Sequence, residues 1–102
     1  MSDAVTRWQK LVEQQPNHEL ARFSLGKALF DLGQFAAAKT HFQIALAKKP
    51  DWMVVQILLG KCDLALGDTV AAKAAFTSAL QLALAQHHEG PQAELEELLR
   101  DL

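Results

Sequence analysis

Residues 16–49 read PNHELARFSLGKALFDLGQFAAAKTHFQIALAKK, and residues 50–83 read PDWMVVQILLGKCDLALGDTVAAKAAFTSALQLA. Laid over one another without a gap, these 34-residue stretches agree at twelve positions. The matches include Pro16/Pro50, Leu25/Leu59, Gly26/Gly60, Lys27/Lys61 and Gly33/Gly67, then Ala38/Ala72, Phe42/Phe76 and Ala45/Ala79. Self-similarity at such a period marks a supersecondary unit that stacks on its own copies. The phase also runs upstream: Ala4, Trp8, Leu11 and Pro16 precede Ala38, Phe42, Ala45 and Pro50 by one period.

Each copy reads as two helices. Stretches 18–32 and 52–66 are long enough for about four turns each. Gly33 and Gly67 close them, and second helices follow over 35–48 and 69–87, the latter opened by Asp68-Thr69. Asn17 and Asp51 stand in the expected N-cap positions, each after a proline. Gly26 and Gly60 lie inside helices, where glycine costs about 1 kcal/mol relative to alanine. That cost is tolerable where another helix must come close. Ala38 and Ala72 provide the counter-surface, with Phe42 and Phe76 beside them. The expected core is Gly26, Gly60, Ala38, Ala72, Phe42, Phe76, Ala45, Ala79, Leu25 and Leu59.

The pattern Leu25-Gly26, Gly33, Ala38, Phe42, Ala45, Pro50, repeated as Leu59-Gly60, Gly67, Ala72, Phe76, Ala79, resembles the tetratricopeptide repeat. The resemblance covers roughly residues 3–84. It implies an all-α, right-handed helical-repeat solenoid of stacked antiparallel helix pairs, about six helices in one domain over 1–102. Within it, 1–16 is a half repeat, 17–50 and 51–84 are full repeats, and 90–102 is a capping helix. Two positions depart from the family pattern. Arg22 and Gln56 replace a large aromatic, and Leu29 and Asp63 replace a tyrosine. Asp63 is expected to be half-exposed, its carboxylate in solvent or on a Lys/Arg; the alternative is a buried pair with Arg100.

Gly90-Pro91 opens the last helix, with proline near its first position. Leu95, Leu98, Leu99 and Leu102 share one face at i, i+3, i+4 and i+7. The other face is acidic, as a closing helix of a short solenoid requires.

Composition narrows function. Half of the 102 residues are apolar, and the net charge is −2. Residues 1–88 carry nine Lys/Arg against seven Asp/Glu, whereas 89–102 carry Arg100 against five acids. No basic face suited to nucleic acid follows from this. No apolar run reaches the roughly 20 residues of a membrane span, and Met1-Ser2-Asp3-Ala4 lacks a secretory layout. The expectation is cytoplasmic. The single cysteine, Cys62, forms no internal disulfide and reads as a structural thiol. His87 and His88 are adjacent, pointing about 100° apart on a helix, and do not chelate one ion. The acids of 94–101 read as a solubilising face. No glycine-rich phosphate loop occurs. Neither catalysis, nor a metal, nor a cofactor is expected.

One constellation is left. In each first helix a second apolar stripe carries a lysine: Leu20, Phe23, Lys27 and Phe30, then Val54, Ile57, Lys61 and Leu64. The i, i+3, i+7, i+10 spacing places each set on one helix face. The family resemblance implies that this face lines a concave peptide-binding groove. Its expected ligand is a protein or peptide with an acidic residue or carboxylate. Some family members clamp a chaperone's C-terminal carboxylate; the matching positions here are Phe23, Lys27 and Leu58, of which only Lys27 is basic, so that clamp is not expected. The function read from the chain is a non-catalytic adaptor, monomeric or weakly dimeric, binding neither nucleic acid nor membrane. The alternative is a self-associating structural module, joined through its end helices or groove.

Overall fold

The structure, a computed structural model, describes residues 3–102; Met1 and Ser2 of the expected half repeat lie outside the described residues. The described residues form six helices: α1 (Asp3–Gln14), α2 (Glu19–Asp31), α3 (Phe35–Lys48), α4 (Met53–Ala65), α5 (Thr69–Gln86) and α6 (Glu89–Arg100). No strand occurs among the described residues. The chain divides into two compact units, residues 1–50 and 51–102, and the break coincides with the junction of the two copies.

In the first unit α2 packs on both α1 and α3; in the second α5 packs on both α4 and α6. The reversals within the pairs are built alike. Gly33 and Gly67 adopt φ of 78° and 83°, a left-handed conformation in which a Cβ is strained. That turn lets the N–H of Gln34 donate to Leu29 O at 2.9 Å, and the N–H of Asp68 donate to Asp63 O at 2.9 Å. Both helix ends thereby satisfy carbonyls that would otherwise lack partners. At the end of α5 the same cap recurs with His87 in the left-handed position (φ 58°), and His88 N–H donates to Ala83 O.

The helix starts correct one expectation. Asn17 and Asp51 lie in the preceding turns, and the N-caps are His18 and Trp52. His18 is extended (ψ 105°), and its Nδ1 accepts from Ala21 N–H at 3.1 Å. Trp52 occupies the same repeat position without a side-chain cap bond. The helical ladder begins one residue later than the proline spacing suggests, because each turn takes the proline and the residue after it, leaving the next residue as the cap. Asp68 does cap α5, accepting from Ala71 N–H at 3.0 Å. Pro91 is the third residue of α6, still within the first turn, where its missing N–H costs no helical bond.

The interior glycines explain the core. An added Cβ would stand 2.7 Å from the Phe42 ring at Gly26 and 2.5 Å from the Phe76 ring at Gly60. Both rings are fully buried, with Ala38, Ala45, Ala72 and Ala79 around them. Each glycine is therefore the socket for a phenylalanine of the facing helix. Of the expected core only Leu59 differs: it is half-buried, whereas Leu25 is buried. Asp63 also departs from expectation. It is 2% exposed, because it stands in the inward register that Leu29 holds one repeat earlier. Arg100 is exposed near the end of α6. Cys62 is fully buried in α4.

In the second unit Leu95 of α6 is fully buried against Ile57, Ala72, Phe76, Ala79 and Ala83, and Leu98, Leu99 and Leu102 pack on the same cluster. The acids Glu94, Glu96 and Glu97 remain exposed. No helix among the described residues is long and apolar enough to cross a membrane.

Candidate peptide-binding cleft

The two lysine-bearing stripes fare differently in their two units. In residues 1–50, Leu20 is 55% exposed, and Phe23, Lys27 and Phe30 are half-buried on α2. Phe23 is anchored by a tilted contact with Phe42, centroids 6.3 Å apart. Phe30 packs edge-on to Phe35 at 5.3 Å. The Lys27 ammonium stands 5.9 Å from the Phe30 ring centroid and donates to Asp31 Oδ1 at 2.7 Å. Cation and ring attract weakly at such a distance. The Lys27–Asp31 pair joins side chains one helical turn apart, both about half exposed, so it contributes little to stability. In this arrangement the ammonium lies between Asp31 and the Phe30 ring.

Between α1 and α2 these residues border an open cleft of about 350 Å³, lined by Ala4, Trp8, Phe23, Ser24, Lys27, Ala28, Asp31 and Leu32. Its walls are the Trp8 and Phe23 rings, and its charged rim is the Lys27–Asp31 pair. Trp8, Ala4 and Asp31 escape a reading that considers the first helices alone. Two signals point to them: Trp8 and Ala4 share the repeat phase of Phe42 and Ala38, and Asp31 is four residues beyond Lys27 on one face.

In residues 51–102, Val54 and Leu64 are exposed, while Ile57 is 8% exposed within the cluster that α6 closes. Lys61 Nζ lies 3.7 Å from Glu94 Oε2 of α6, a long and half-exposed contact. Both lysines thus have a carboxylate of the chain beside them. Among the described residues, no group of three His, Cys, Asp or Glu side chains is arranged to hold a metal ion.

On the other side of α2, Arg22 takes the place of the family's aromatic. Its Nε donates to Pro16 O at 3.0 Å, and its Nη1 donates to His41 Nδ1 at 3.2 Å. A guanidinium has no acceptor, so this bond requires Nδ1 of His41 to be unprotonated. Burial, and then the Arg22 charge, lower the His41 pKa below 6.5. The unfolded chain therefore takes up this proton at higher pH than the folded one. The stabilisation is complete above 6.5 and is lost as pH falls through the lower folded value. Urea midpoints measured at about pH 7.5 and about pH 5 should show a decline that His41→Gln reduces. An equal decline in the variant would remove His41 from this role.

The comparisons with known proteins agree with this fold. The sequence profile described as "Tetratricopeptide repeat" matches residues 2–52 and 23–94. The solution structure of protein BPP2914 from Bordetella parapertussis is 32% identical, with a TM-score of 0.84, over 99% of this chain and 88% of that one. The first tetratricopeptide domain of Spaghetti, solved with the HSP90 peptide SRMEEVD, is 22% identical with a TM-score of 0.81, over 95% of this chain and 72% of that one. No curated protein sequence is significantly similar to the chain.

Proposed function

Because the chain belongs to the tetratricopeptide-repeat family, we propose that it is a non-catalytic adaptor holding another protein or peptide in the α1/α2 cleft. The observation that carries this reading is the cleft itself, in which two aromatic side chains meet one ammonium group. Apolar walls with few placed polar groups suit an extended or helical peptide. An apolar ligand residue would lie against Trp8 and Phe23, and an acidic one would reach Lys27. Leu20 and Phe30 extend this surface along α2. That the same fold holds an acidic peptide in the Spaghetti domain supports the ligand class. In the second unit, Val54, Lys61 and Leu64 are the corresponding contacts, with Ile57 supporting them from beneath and Glu94 as the resident acid. The reading includes a cytoplasmic, monomeric or weakly dimeric protein that uses no cofactor and binds neither nucleic acid nor membrane.

Asp31 gives the reading a sharp test. Asp31 competes with a ligand carboxylate for Lys27 and repels it, so Asp31→Asn should tighten binding by about two- to five-fold, the worth of an exposed pair. Lys27→Glu should weaken it by about ten-fold or more. The measurement is calorimetry with the partner recovered by affinity capture from the native host, on variants whose helicity matches the parent. Affinities that ignore both changes would refute the cleft assignment.

Self-association is the second reading, favoured by Val70, 81% exposed on α5, and by exposed Leu84. Light scattering over a concentration series separates the two, since a strict monomer at high concentration removes it.

A further inference from the structure

The first helix of the chain repeats a surface that is covered elsewhere. Ala38, Phe42 and Ala45 of α3 are fully buried, as are Ala72, Phe76 and Ala79 of α5. In each case a glycine of the facing helix receives the phenylalanine ring. The equivalents one period upstream are Ala4, Trp8 and Leu11 of α1, and all three are only half-buried. Alongside them an open trough of about 550 Å³ runs along α1, its apolar part Trp8 and Leu11 and its charged part Arg7 and Lys10 against the single acid Asp3.

The chain also shows what charge such a trough should receive. Arg22, four residues before Gly26, meets His41 of α3. The residue of α1 in the His41 position is Arg7, which is exposed. A helix docked on α1 as α2 docks on α3 would bring the residue four before its glycine to Arg7. We propose that α1 is a docking site for an amphipathic helix of another protein, one with a glycine against Trp8 and a Glu or Asp four residues earlier against Arg7. Lys10, also exposed, favours further acidic residues on that helix. This surface is distinct from the Lys27 contact, although Trp8 borders both.

The probe is a helix-stapled peptide with the sequence of residues 18–33, made in three forms: unchanged, with Arg22→Glu, and with both Arg22→Glu and Gly26→Leu. Binding to the full chain is read by fluorescence anisotropy. The Arg22→Glu peptide should bind, and the unchanged one, which sets arginine against Arg7, should bind about ten-fold more weakly. The added Gly26→Leu change should abolish binding of the Arg22→Glu peptide. Arg7→Glu in the chain should reverse the preference between the first two peptides, with Lys27→Glu leaving it in place. Failure of the Arg22→Glu peptide to bind at millimolar concentration, or a preference that Arg7→Glu does not move, overturns the proposal. A free chain that dimerises, and becomes monomeric with Arg7→Glu, would also overturn it, since the occupant would then be a second copy.

Discussion

A chain ended at His87 is expected to dimerise or precipitate rather than persist as a slightly weaker monomer. Removing α6 uncovers Ile57, Phe76, Ala79 and Ala83, which Leu95 now seals. A fully buried leucine contributes about 1.5–3 kcal/mol, and Leu98, Leu99 and Leu102 add partial burial. Against a total stability of about 5–15 kcal/mol, that loss is large for a unit of this size. The truncation also removes five acids and one arginine, turning a net charge of −2 into +2. Changing Leu95, Leu98 and Leu99 to Ser in the full chain keeps the charge and removes the burial. It should reproduce most of the loss on thermal melting. A truncated chain that stays monomeric and equally heat-resistant would show that α6 covers nothing essential.

Gly60→Leu is expected to lower stability by about 1–3 kcal/mol through overpacking. The Cβ alone would stand 2.5 Å from Phe76 Cε1, and that ring is fully enclosed. Phe76→Ala alone should cost about 3–5 kcal/mol by leaving a cavity. The double variant should be less destabilised than the sum, because the leucine introduced in place of Gly60 can occupy part of the space that the ring vacates. Urea denaturation of the four proteins measures that coupling. Strict additivity, or a Gly60→Leu protein as stable as the parent, would mean that glycine and phenylalanine do not face each other.

The sequence carries the repeat so plainly because both halves of the glycine–phenylalanine contact recur in phase. A mid-helix glycine is unfavourable locally, so its recurrence 34 residues on signals a packing need. Helix starts are less legible. The backbone bond from His18 N–H to Gln15 O folds Pro16 and Asn17 into a turn, which passes the cap to His18. Residue type alone misplaces Asp63, since its register, shared with Leu29, outweighs its charge. At the candidate site the stripe on α2 can be read from its own spacing, but the companion wall shows only through the repeat phase. Trp8 belongs to another helix, and the approach of Glu94 to Lys61 depends on how α6 packs.

The most direct test of the binding account is photo-crosslinking in the native host from two exposed positions of the first unit. Leu32 lines the cleft, and Gln43 lies on α3 outside it. With benzoylphenylalanine at position 32, the account predicts one dominant partner protein whose crosslink disappears when Lys27→Glu is added. Position 43 should not yield that crosslink. The same partner captured equally from both positions, or a crosslink at position 32 that survives Lys27→Glu, would contradict it.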